Sequence, residues 1–184
     1  LPKGADIVMQ VHYHKYGKAE TDRTSLGVTF NKQPVKKYVR LTPVLNTRIK
    51  IPAGEANYRD TATWTFRQDA VALSVFPHMH LLGKEMTMTA TFPDGRKQDL
   101  IWVKPYDFNW QTNYIFVQPI PMPKGTRIDV AAVFDNSENN PNNPNKPLRE
   151  VRWGDATTDE MLIGWIAYAV DTPVPVSPGP TGSQ

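Results

Sequence analysis

The chain has 184 residues, a net charge of +3 and no cysteine. That suits one domain and excludes disulfide scaffolds, thiolate zinc sites and cysteine nucleophiles. Its 21 basic residues are dispersed, with no run longer than a pair such as Lys36-Lys37, so they form no nucleic-acid footprint.

Ile7-Val8-Met9-Gln10-Val11-His12-Tyr13-His14 reads as a strand, with Ile7, Met9, Val11 and Tyr13 on one face and Val8, Gln10, His12 and His14 on the other. Further strands are expected at Gly27–Asn31, Lys37–Pro43, Arg48–Ile51, Thr61–Arg67 and Ala70–Phe76. Glu85–Phe92 alternates cleanly. It turns through Phe92-Pro93-Asp94-Gly95-Arg96 into Asp99–Val103, which predicts a hairpin. Asn113–Val117, Arg127–Phe134 and Met161–Val170 complete the set. Asp135–Pro147 carries six Asn and three Pro and is expected as a long surface loop. The 17 prolines and 11 glycines, with few helix-length apolar patterns, favour an all-β chain. The reading is an antiparallel two-sheet β-sandwich, jelly-roll-like, over 1–170, followed by a flexible Pro/Gly/Ser tail at 171–184. No stretch approaches the ~18 apolar residues of a membrane-spanning helix, so no membrane insertion is expected. No signal peptide opens the chain, which reads as a mature form or a piece of a longer protein.

All four histidines fall in two His-x-His pairs, His12-Tyr13-His14 and His78-Met79-His80. In an extended strand, residues i and i+2 share a face and lie roughly 6–7 Å apart, which lets two imidazoles close on one metal ion. For the pair at His78 and His80 the candidates for a third ligand are Asp, Glu, Met or the other pair. Met161, in Thr157-Thr158-Asp159-Glu160-Met161, is the favoured one, because a soft thioether selects copper over zinc or magnesium.

Three motifs occur in order: Val11-His12-Tyr13-His14, then His78-Met79-His80-Leu81-Leu82-Gly83-Lys84, then Thr157–Met161 about 80 residues later. Together they resemble the copper type II, ascorbate-dependent monooxygenases, the family of peptidylglycine α-hydroxylating monooxygenase and dopamine β-monooxygenase. The chain looks like a cysteine-free variant of the family's catalytic copper domain. The resemblance implies a catalytic copper held by His78, His80 and Met161. It also implies O2 and a small organic substrate, an external electron donor such as ascorbate or a fused redox domain, and a periplasmic or extracellular setting. The reaction implied is hydroxylation of an aliphatic C–H bond. His12 matches one ligand of the family's second copper; His14 matches none.

The chain departs from the family in two ways. It has no adjacent His-His pair, so the second copper site is absent or is completed by an upstream domain, leaving His12 a partial remnant. The Arg two residues before the family's HxH is Phe76 here. The Asn and Tyr two and four residues after its Met are Ile163 and Trp165. Losing the Arg removes a bidentate carboxylate partner, so Phe76, Ile163 and Trp165 imply an apolar or aromatic substrate. Three alternatives stand beside this reading: a copper-binding or electron-transfer module without oxygenase activity, a carbohydrate-binding sandwich using Trp102 and Trp110, and an Fe or Zn enzyme using both His pairs. Copper affinity is expected to fall as pH drops toward about 6.5, the ordinary imidazole value. Asp159, Glu160 and Gln10 are the candidates for orienting the imidazoles.

Overall fold

A computed structural model describes residues 4–11, 13, 17–30 and 32–171. The chain divides into two compact units, residues 1–34 and 35–184.

In the first unit the described residues form neither helix nor strand. The strands expected at Ile7–His14 and Gly27–Asn31 are therefore not formed among them. An alternating pattern makes a strand only where a neighbouring edge completes its ladder, and here Ile7, Met9 and Val11 on one face and Val8 on the other are all exposed. Local polar contacts organise this unit instead. The hydroxyls of Tyr13 (3.0 Å) and Thr24 both donate to the Asp22 carboxylate. His12 and His14 lie outside the described residues, as do residues 172–184 of the expected tail.

The second unit is all-β, with no helix among its described residues. Its strands are β1 (Tyr38–Leu45), β2 (Lys50–Ile51), β3 (Tyr58–Thr65), β4 (Ala70–His78), β5 (Gly83–Thr91), β6 (Lys97–Val103), β7 (Tyr114–Met122), β8 (Arg127–Phe134), β9 (Val151–Arg152) and β10 (Ile163–Val170). Two four-stranded antiparallel sheets, ordered β1-β10-β4-β7 and β3-β8-β5-β6, enclose one core, and β2 pairs with β9 beside them. The core draws Val44, Val75, Met122 and Ile166 from the first sheet and Met86, Met88, Ile128 and Val130 from the second. The two sheets approach closely at Gly164, where a Cβ would sit 2.7 Å from Val130 Cγ2 and 2.9 Å from Met88 Cε. Trp64 of β3, Phe66 and Tyr168 of β10 stack across the same interior, with Phe66 and Tyr168 at 5.0 Å.

The connection at Asp135–Pro147 holds no strand, as expected, but it is not a solvated loop. Asn136, Asn140, Asn143 and Asn145 are buried. The Asn136 amide donates to the carbonyls of Ile51, Pro52 and Arg149 and accepts from Asn143. Amide side chains can satisfy a backbone that lacks a ladder, so an Asn-rich segment can be packed rather than free.

Candidate metal centre

The site forms where β4 ends and β10 begins. These strands pair antiparallel with Trp165 opposite Phe76 and Ile163 opposite His78 as the last rung. Beyond that rung the two arms leave the ladder, and the Glu160 side chain accepts the backbone N–H of both His80 and Met161. Met79 and Leu162 are fully buried in the core, His80 is buried, and His78 and Met161 are half-buried. The His78 and His80 rings stand edge to face with centroids 5.2 Å apart.

One carboxylate ties the two arms together. Glu160 is fully buried. It accepts the backbone N–H of His80, of Leu82 at 2.9 Å and of Met161 at 2.8 Å. Burial pushes its carboxyl up to about 8, against the pull of those three amides. The Asn-rich connection buttresses the same two arms: Asn140 donates to Leu81 O, and Asn145 and Arg149 donate to Thr158 O.

The segment between β6 and β7 grips each residue of the His-Met-His motif with a different side chain. The Tyr106 hydroxyl accepts from Met79 N at 2.9 Å and donates to Met79 O at 2.7 Å. Phe108 sets its ring at 90° to that of His80, with centroids 6.1 Å apart. Gln111 Oε1 lies 2.6 Å from His78 Nδ1. Nothing in the sequence pointed to Tyr106, Phe108 or Gln111; the aromatic and turn residues of Pro105–Gln111 mark only a non-strand segment.

His80 Nδ1 lies 3.2 Å from the carbonyl of Asp159. A carbonyl only accepts, so this nitrogen carries the proton and Nε2 keeps its lone pair. Burial pushes the pKa of both imidazoles below the ordinary value, and for His78 the neighbouring His80 adds to the lowering. Both rings are therefore neutral near pH 7, the form a metal requires. Of the residues expected to orient them, Asp159 acts through its main-chain carbonyl and Glu160 through its side chain, which accepts the amides of His80, Leu82 and Met161; Gln10 lies in the first unit.

Phe76 and Trp165 line a cavity of about 440 Å³ on the outer face of the first sheet, with Val39, Leu41, Ser74, Asn113 and Ala167. Phe76 stacks on His78 at 6.3 Å, so one wall of the cavity touches His78 through this ring. Ile163 is buried opposite His78 and is not among the lining residues. A larger hollow of about 640 Å³ on the outer face of the second sheet is lined by threonines and charges that satisfy one another: Arg127 with Asp129, Thr91 with Asp129, and Thr89 with Asp99. Trp102 and Trp110 are both exposed; the Trp102 indole donates to Glu85.

Among the described residues, no three His, Cys, Asp or Glu side chains converge as a metal site. The main chain of Met161 is held beside that of His80, both amides donating to the Glu160 carboxyl. No protein-family model and no curated protein matches this chain.

Proposed function

We propose that this protein is a copper-dependent monooxygenase domain that hydroxylates an aliphatic C–H of a small apolar or aromatic substrate. The observation that supports the reading is a pair of neutral imidazoles, His78 and His80, with ring centroids 5.2 Å apart, joined through Phe76 to an apolar cavity, on an arm that Glu160 ties to the arm of Met161. The residues fit the metal in three respects. Two rings 5.2 Å apart can share one ion bonded at about 2 Å to a nitrogen of each. Burial keeps both rings unprotonated. The remaining donor is a thioether, which favours Cu(I). Copper bound there would supply the redox chemistry by which one atom of O2 enters the C–H bond and the other leaves as water, with two electrons and two protons from an external donor such as ascorbate or a fused redox domain.

The chain's own residues prepare that chemistry. Glu160 and Tyr106 fix the main chain on which the ligands stand. Val39, Leu41, Phe76 and Trp165 offer an apolar wall to the hydrocarbon part of a substrate. Among the described residues no cationic side chain lines this cavity, so none of them offers a partner to a substrate carboxylate.

Calorimetric titration of the 184-residue chain with Cu(I) and Cu(II) tests the proposal. One ion per chain is expected, lost in His78→Ala and bound more weakly as Cu(I) in Met161→Ala. Failure of the wild-type chain to bind copper would overturn the reading. Binding without O2 consumption, in a protein supplied with reductant and apolar substrates, would reduce it to a copper-binding module.

A further inference from the structure

We propose that Gln111 is a positioning residue that selects the tautomer of His78 and so decides which ring nitrogen is free. This rests on the reading of His78 as a metal ligand. The case for His80 is simple, because its Nδ1 faces a main-chain carbonyl. His78 faces a side-chain amide, which presents either an acceptor or a donor depending on how it is turned.

The turn is fixed one step further out. Gln111 Nε2 donates to the carbonyl of Phe108 at 2.7 Å. Flipping the amide would bring two oxygens together at Phe108 and set an N–H₂ against His78 Nδ1. With the amide as it stands, Oε1 accepts at 2.6 Å, Nδ1 carries the proton, and His78 Nε2 keeps its lone pair. In the flipped arrangement Nε2 would hold the proton and could not bind a metal. Phe108, whose ring abuts His80, therefore also orients the amide that sets His78. Each histidine has its Nδ1 set against a separate acceptor.

Long-range ¹H–¹⁵N NMR of the metal-free chain reads the tautomer of each ring directly. Both histidines are expected as the Nδ1–H form in the wild type. Gln111→Leu removes the acceptor without changing bulk greatly, and His78 should shift to a mixture or to Nε2–H. His80 should keep its pattern and serve as the internal control. Copper affinity should follow, falling roughly 10–100-fold in the Leu variant. A wild-type His78 protonated on Nε2, or one unchanged in Gln111→Leu, overturns the inference. So does loss of both rings' patterns together, since Gln111 would then only hold the segment in place. A wild type with the expected tautomers but no copper uptake would sink the metal reading and leave the role of Gln111 standing.

Discussion

Glu160 is the group whose loss this architecture tolerates least. Truncation to alanine strips the acceptor from three main-chain amides, those of His80, Leu82 and Met161. An orphaned buried amide costs about 1–3 kcal/mol, so three cost on the order of 5 kcal/mol before the cavity is counted. Domain stabilities run only about 5–15 kcal/mol, so Glu160→Ala should fold poorly or not at all. Glu160→Gln is the informative variant. Its one carbonyl oxygen can still serve His80 and Met161, both of which bond Oε1, while its N–H₂ meets the Leu82 amide donor to donor. The net loss is one buried bond, about 1–3 kcal/mol. The pH dependence adds a second signature. With the folded carboxyl pushed up to about 8 and its ordinary value at 4.5, the folded state holds a proton that the unfolded chain has released across that window. Wild-type stability should therefore fall as pH rises from about 5 to 8, whereas Glu160→Gln lacks this slope. The gap between the two should narrow on going to pH 8. Urea unfolding followed by tryptophan fluorescence at pH 5.5, 7 and 8.5 measures it. A Glu160→Ala protein within about 1 kcal/mol of wild type, or a gap that widens with pH, would refute the role assigned to this carboxylate.

Other outcomes follow from the same geometry. Gly164→Ala drives a methyl into Val130 and Met88 of the facing sheet and should cost about 1–3 kcal/mol, read as a Tm several degrees lower; an unchanged Tm would mean that the sheets can slide apart freely. Because burial lowers both imidazole pKa values, copper affinity measured by chelator competition should hold steady down to about pH 6.5, the unperturbed value, and decline only below it. A decline already under way between pH 8 and 7 would show that a different group controls uptake. Tyr106→Phe removes both bonds to Met79 and should lower stability by about 1–3 kcal/mol, with hydrogen exchange at the Met79 amide accelerating most.

Where alternation and turn chemistry coincided, the fold was legible in the residues. Arg127–Phe134 forms over the very span expected, and the arms about Gly95 pair as a hairpin whose Gly95 takes a φ of 86°. The failures share one cause. Ile7–His14 has the right period, but period says nothing about whether a partner edge exists. Val151–Arg152 is too short to carry a pattern, and it becomes a strand only because β2 lies beside it. The Asn-rich connection was read from propensity alone, whereas its amides find buried carbonyls in segments distant along the chain.

The site divides along the same line. The histidine spacing and the sulfur two residues before Ile163 are local facts, readable in one dimension. What holds them is not local. Glu160 lies 80 residues from His80, and Gln111 33 residues from His78. Glu160 was visible only as one of several nearby polar residues, because nothing in a sequence tells a carboxylate that stitches amides from one that faces water. Its fully buried position makes that distinction. Burying a carboxyl group is expensive, and the three amide bonds it accepts from the β4 and β10 arms offset that cost in part. That offset is present only when both arms are in place, so the folded arrangement of His78-Met79-His80 and Met161 is coupled through this one side chain. That coupling makes the geometry of the two histidines a property of the sandwich, and it predicts that the metal-free protein already holds both as they stand here.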